Sequence, residues 1–278
     1  DLLKPLGIKK GVKNLVKLDY CTEDRKKVES LLKSYNIEKK DFLIGFGVGA
    51  AESAKSRMWP KERFAELADW LIERHNAKII LIGNNDEKKL VNEIMNLIKN
   101  KKNSFDFAGK INVREMFYLI SLCRLFIGND SGPMHVAAAQ GVKTIGLFGC
   151  NLPVRFEPFG KGNYAIYKKS TQDACINVHL GQVDECRYGM ENACVRKIQV
   201  EDVIEVVNKI VKKVKNPISC FILASFGNRS FSKELTFSNN SKISFLKIYT
   251  PAFTMFVELC LGFSWKSAIK SPSSIAVP

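Results

Sequence analysis

Apolar positions follow two alternating periods along this chain. Residues 42–48 (FLIGFGV), 77–83 (AKIILIG), 124–128 (RLFIG) and 143–149 (KTIGLFG) are short runs with no polar face. Such runs, ended by glycine, predict buried strands. Shorter strands are expected around Phe105–Ala108 and over 163–168. Between them the apolar residues recur every three or four positions, which predicts helices. Residues 21–37 carry Val28, Leu31, Leu32 and Tyr35 on one face, with Thr22 as the expected cap. Pro60 is expected to open a helix running to about Arg74, with Phe64, Leu67, Ala68 and Leu71 inside. Further helices are predicted over 86–100, 112–123, 132–140 (closed by Gly141) and 200–214, the last with Val203, Val206, Val207 and Ile210 as its stripe. Two-sided apolar strands alternating with helices predict an α/β fold, a doubly wound, Rossmann-like parallel sheet. Ligands of such sheets sit beyond the carboxyl ends of the strands. The loops of interest are therefore 48–60, 83–87, 128–133 and 149–160.

The alternation stops at residue 216. Residues 216–278 hold 12 Ser and 8 Phe against 6 basic and 2 acidic residues. The apolar stretch 250–265 is too short to cross a bilayer. The expected division is an interdomain remnant (1–20), a Rossmann-like domain (21–215) and an unassigned tail (216–278).

Composition narrows the function classes. Of 278 residues, 46% are hydrophobic and 26% charged, an ordinary globular balance that excludes a disordered or collagen-like chain. The net charge is +15, but it comes from 33 Lys and only 10 Arg, spread along the chain. Base-reading surfaces lean on Arg. The charge thus reads first as a solvated surface with no nucleic-acid partner. Attraction to a nucleotide, a phosphorylated lipid or a membrane surface stays open. Eight Cys occur without a C-x-x-C pair, and the chain opens at Asp1 with no secretory leader in view. Reduced thiols in a cytoplasm are expected, with further chain upstream. Cys175, His179, Cys186 and Cys194 offer a Cys3His set on paper, but no short knuckle supports zinc, so they read as buried or loop thiols and no metal is expected.

Three constellations carry candidate chemistry. In G-F-G-V-G-A (45–50) a dinucleotide fingerprint would need its third glycine where Ala50 stands, and its helix would have to start within the turn. It starts near Pro60 instead, which disfavours an NAD-dependent oxidoreductase. The residues read as a glycine-lined strand end where a ligand or a loop comes close. In A-K-S-R-M-W-P (54–60), Lys55 and Arg57 precede a helix N-terminus. Cations beside that partially positive end make an anion site, unless they are simply solvated. In I-G-N-D-S-G-P-M-H-V-A-A-A (127–139), Asp130 or Ser131 can cap the helix and Pro133 lies in its first turn. Gly132 admits a ligand close to the backbone, and His135 follows one turn in. The block reads equally as a phosphate seat and as a well-capped helix with a packed His.

These blocks resemble glycosyltransferase family 9, the heptosyltransferases of lipopolysaccharide core synthesis. The resemblance rests on G-A-A-E-S-A-K-S-R-M-W-P-K-E-R-F-A-E-L-A (49–68), F-A-G-K (107–110), N-D-S-G-P-M-H-V-A-A-A (129–139) and L-F-G (147–149), and runs from about residue 40 to 212. It implies the C-terminal, donor-binding half of a GT-B enzyme, whose other half binds the lipid acceptor and supplies the general base. By the same resemblance Asp130, Ser131, Gly132 and His135 line the diphosphate and sugar. Arg57 or Lys55 holds the phosphates, and Asp86 or Glu87 faces the ribose. The implied donor is an ADP-sugar, ADP-heptose in most of the family, with no separate cofactor. The implied acceptor is a lipid A-core at the inner face of the inner membrane, where the enzyme would be cytoplasmic or peripheral. A second reading is a module that binds a nucleotide and transfers nothing.

Overall fold

A computed structural model describes Gly7 and residues 15–50, 56–168 and 194–215, with side chains through Val211. Lys55, Cys175, His179, Cys186 and the whole stretch 216–278 lie outside the described residues.

Six parallel strands form one sheet in the order β3-β2-β1-β4-β5-β6. They are β1 (Phe42–Gly47), β2 (Ala77–Ile82), β3 (Ser104–Asp106), β4 (Leu125–Asn129), β5 (Lys143–Phe148) and β6 (Tyr164–Tyr167). This is the Rossmann strand order, so the expected doubly wound sheet is the observed one. The helices are α1 (Thr22–Ser34), α2 (Lys61–His75), α3 (Lys88–Leu97), α4 (Val113–Ser121), α5 (Gly132–Ala139), a four-residue α6 (Pro153–Phe156) and α7 (Val200–Lys215). No helix among the described residues is long and apolar enough to cross a membrane.

Each face of the sheet has its own core. On one face Phe64, Leu67 and Leu71 of α2, Val91 and Ile94 of α3, and Val203 and Val207 of α7 pack on Ile44, Ile79 and Ile127. On the other, Val28 of α1, Leu119 of α4, and Met134 and Ala137 of α5 pack on Ile80, Phe126 and Phe148. Gln140, just past α5, donates to the carbonyls of Leu18 and Phe117 and so ties residues 15–20 to that second layer.

Two expected caps sit elsewhere. Cys21, not Thr22, is the N-cap of α1, and its backbone N–H donates to Asp24 Oδ2 at 2.9 Å. An acidic residue at the third helical position can reach back to that N–H, which a threonine at the first position does not do. Pro60 occupies the N-cap of α2 and Lys61 begins the helix.

The register puts Gly47 of β1 beside Gly128 of β4. From there β1 leads to α2 on one face and β4 leads to α5 on the other. Diverging connections at adjacent carboxyl ends open a crevice, the usual ligand site of such sheets.

Candidate nucleotide-binding site

A cavity of about 290 Å³ opens at this crevice, lined by Gly47, Gly49, Gly83, Asn84, Glu87, Ile111, Val113, Met116, Ser131 and Gly132, among others. Its walls differ in chemistry. Ile111, Val113 and Met116, at the start of α4, make an apolar side, with Val113 largely exposed. The beginning of α5 makes the opposite side. Glu87 places a carboxylate between them, beyond β2.

The glycines of β1 have identifiable tasks. A Cβ at Gly45 or Gly47 would come within 2.8 Å of the Phe126 ring. A Cβ at Gly49 would coincide with the Glu87 carboxylate, and one at Gly83 would lie 3.0 Å from Glu87 Oε2. Gly45 and Gly47 therefore make room for an aromatic ring in the core, and Gly49 and Gly83 make room for Glu87. The approaching group is a side chain of the chain itself. That refines the expectation of a strand end where a ligand or loop comes close.

Glu87 is fixed by a reciprocal pair. Its Oε2 accepts the Asn84 N–H at 2.8 Å, and its own N–H donates to Asn84 Oδ1 at 2.9 Å. Burial raises its pKa above the usual carboxylate value; the Asn84 N–H opposes that rise and the charge of Asp86 adds to it. Between the two expected carboxylates, Glu87 lines the cavity and Asp86 is exposed. The F-A-G-K block supports this edge. Gly109 has φ +64°, and its N–H donates to Gly83 O at 3.0 Å. Its missing Cβ leaves space for Asn85 and Lys88.

At the start of α5 the cap is Ser131, but its hydroxyl bonds Asn129 O at 3.3 Å and makes no cap bond to the helix. Asp130 does not cap either. The first helical N–H groups have no intrahelical partner, and Pro133 removes one of them. Gly132 is exposed, has none of the described residues beyond its chain neighbours within 4 Å of its Cβ position, and does not require a left-handed φ. Neither packing nor backbone geometry calls for glycine there. His135 is exposed on α5 and is not among the residues that line the cavity. The packed-His reading is thereby corrected: Met134, Ala137 and Ala138 are the buried residues of this helix.

Arg57 does not stay at the N-terminus of α2 as a solvated cation. Its side chain is only 18% exposed, and Nη1 lies 3.6 Å from Asp130 Oδ2. Asp130 is buried at the end of β4 and also accepts from Asn151 Nδ2. Arg57 Nε is buried with no hydrogen-bond partner among the described residues. Lys55 falls outside them. Cys194 is half-buried, while the other three members of the Cys3His set lie outside the described residues.

The family model described as glycosyltransferase family 9 (heptosyltransferase) matches residues 12–180. The chain belongs to glycosyltransferase family 9. It is 31% identical over 121 residues to lipopolysaccharide heptosyltransferase 2 of Salmonella typhimurium, covering 43% of this chain and 34% of that protein. It is 35% identical over 113 residues to lipooligosaccharide heptosyltransferase 2 of Haemophilus influenzae, covering 40% of this chain and 32% of the other. Among solved structures, the family 9 glycosyl transferase of Veillonella parvula superposes with a TM-score of 0.64 at 26% identity, over 76% of this chain and 58% of that one. The ADP-heptose lipopolysaccharide heptosyltransferase II of Escherichia coli gives 0.57 at 22% identity, over 72% and 54%, a likeness of fold. The alignments with these two curated relatives thus span about a third of their length.

Two residues of the site lie in segments that the sequence reading marked but were not singled out there. Asn129 is fully buried; its Oδ1 accepts the Trp59 N–H at 3.0 Å, and its Nδ2 donates to Val48 O at 2.7 Å. It thus joins the ends of β1 and β4 to the loop that carries Arg57. Trp59 is anchored in turn through Nε1 to Ile198 O at 2.9 Å. Asn151 is the second. An uncharged amide at the carboxyl end of a buried strand was the available signal, since a buried amide must find partners for both its ends. In this chain the two amides mark where the loops at the carboxyl ends of β1, β4 and β5 are joined.

Proposed function

We propose that this chain is the donor-binding half of a heptosyltransferase-like glycosyltransferase, and that the crevice between β1 and β4 takes the nucleoside diphosphate of a nucleotide sugar. The observation that carries the reading is the order of chemistry along one cavity. An apolar wall (Ile111, Val113, Met116) suits a base. A fixed carboxylate (Glu87) suits the hydroxyls of a ribose. A helix start with an open glycine (Ser131, Gly132) suits an anion. Arg57 adds a cation behind the helix start. ADP is the proposed nucleotide and ADP-heptose the proposed donor, in keeping with the name of the E. coli structural relative. The proposed acceptor is a lipopolysaccharide core, in keeping with the names of the lipopolysaccharide heptosyltransferases the chain resembles; a lipid A-core at the inner membrane surface is its proposed form.

Sugar transfer leaves a nucleoside diphosphate whose negative charge grows in the transition state. A fixed helix end and a guanidinium stabilise that charge more than they stabilise the bound substrate. The attacking hydroxyl also needs a general base within hydrogen-bond reach. Glu87 lines the cavity and is held by Asn84, and Asp130 lies beside Arg57. In keeping with the family resemblance, the base is assigned to the part of the relatives' length that this chain does not match.

The test is a panel of ligands (ADP, UDP, GDP, AMP and adenosine), together with an assay for ADP release from ADP-heptose in the presence of a lipid A-core acceptor. The expected result is binding with ADP preferred and no transfer by this chain alone. Sugar transfer would refute the assignment of the base elsewhere. A preference for UDP or GDP would refute the assigned donor.

A further inference from the structure

Asn151 follows β5 and is 4% exposed. Among the described residues its hydrogen-bond partner is Asp130 Oδ2, to which Nδ2 donates. Arg57 approaches the same oxygen, but at 3.6 Å its Nη1 is outside hydrogen-bond range. An arginine beside a buried carboxylate ordinarily closes onto it as a two-pronged fork, at about 2.7–2.9 Å. This one stands off, and its Nε is buried with no partner among the described residues. A guanidinium N–H in that state calls for an acceptor that the described chain does not supply, because a buried unpaired donor is costly.

We infer that Asn151 is a positioning residue for diphosphate recognition. By donating to Asp130 Oδ2 it occupies the oxygen on which Arg57 would otherwise close, and it leaves the guanidinium free for the phosphate oxygens of a ligand. Asp130 then serves to orient Arg57 without neutralising it fully. The inference rests on the nucleotide reading above for the identity of the ligand, but the spacing of Arg57 is a property of the protein alone.

Two variants separate the possibilities. Asn151→Leu keeps the branched arrangement of four side-chain heavy atoms, in a somewhat larger volume, and removes the donor. Asn151→Asp keeps the shape and adds a second carboxylate facing Arg57. In either, Arg57 should close onto carboxylate. The first readout needs no ligand: the side-chain Nε–H resonance of Arg57, assigned with Arg57→Lys. It should shift in both variants, and its exchange with solvent should slow about tenfold or more. The second readout is calorimetry. Affinity for ADP and for inorganic pyrophosphate should fall about tenfold or more, while affinity for adenosine stays unchanged. In an Arg57→Ala background, Asn151→Leu should change ADP affinity no further.

An Arg57 resonance unmoved in both folded variants would overturn the inference. So would an equal loss of adenosine and ADP affinity, the mark of a general distortion. Should the leucine variant fail to fold, the isosteric aspartate variant decides by the same two readouts. Should the unaltered protein bind neither ADP nor pyrophosphate, the nucleotide reading fails, and the resonance still decides whether Asn151 spaces Arg57.

Discussion

The carboxylate of Glu87 fills the space that a side chain at Gly49 would occupy. The obstructing atoms are the far end of a flexible side chain, so a methyl group at position 49 can be admitted if Glu87 swings away. Gly49→Ala should therefore leave the melting temperature nearly unchanged and weaken ADP binding by about tenfold or more, ~1.4 kcal/mol. In a Glu87→Ala background the same substitution should have no further effect on ADP. Calorimetry on the four proteins checks this. Equal losses in both backgrounds would show that Gly49 meets the ligand itself.

The raised pKa of Glu87 sets a sign for pH dependence. Burial, the main cause, favours the protonated form in the folded state over the unfolded one. Its stabilising contribution is thus complete below the unfolded carboxyl value and is lost as pH rises through the folded value. At pH 7 the ionised group costs stability. Glu87→Gln should raise the melting temperature at pH 7 and leave it unchanged near pH 4. The same substitution should weaken ADP binding, because the ribose loses a charged acceptor. Thermal melts at both pH values, paired with ADP titrations, decide it. A lower melting temperature at pH 7 would reverse the sign.

Asn129 bonds three partners without access to solvent: the Trp59 N–H and the carbonyls of Val48 and Gly49. Asn129→Ala strands the buried Trp59 N–H and Val48 O and should cost about 2–6 kcal/mol, at about 1–3 for each unsatisfied group. Asn129→Asp retains an acceptor for Trp59 but faces Val48 O with a second acceptor, so it should be no milder. Urea unfolding measures both. A cost below 0.5 kcal/mol for the alanine variant would mean that water replaces the amide.

Much of the fold was legible, because the four central strands β2, β1, β4 and β5 are largely apolar on both faces and α1, α2, α3 and α7 each carry one stripe. All six strands were placed, with ends shifted by a few residues. The caps were less legible. Thr22 looked like the cap of α1, but Cys21 holds that place because Asp24 reaches back to its N–H. The four-residue α6 has too few turns to show a period. At the site, the helix start at Gly132 and the carboxylate pair Asp86 and Glu87 were visible from spacing and family resemblance. The choice of Glu87 was not, since it depends on the space left by Gly49 and Gly83. Arg57 was read against the nearby α2 N-terminus, although its partner, Asp130, is far along the chain. Such long-range pairing leaves no local pattern in the sequence.

Whether the crevice at Gly132 takes the proposed nucleoside diphosphate is decided by titrating ADP into the unaltered protein and into Gly132→Val. None of the described residues beyond its chain neighbours lies near the Cβ position of Gly132 and its φ is not left-handed, so valine should leave the fold intact. Its branched side chain would then occupy the space proposed for the ligand. The expected result is one ADP bound per chain in the unaltered protein, and no detectable binding in a Gly132→Val protein with an unchanged melt. Equal ADP affinity in the two proteins, or no binding of ADP to the folded unaltered protein, would contradict it.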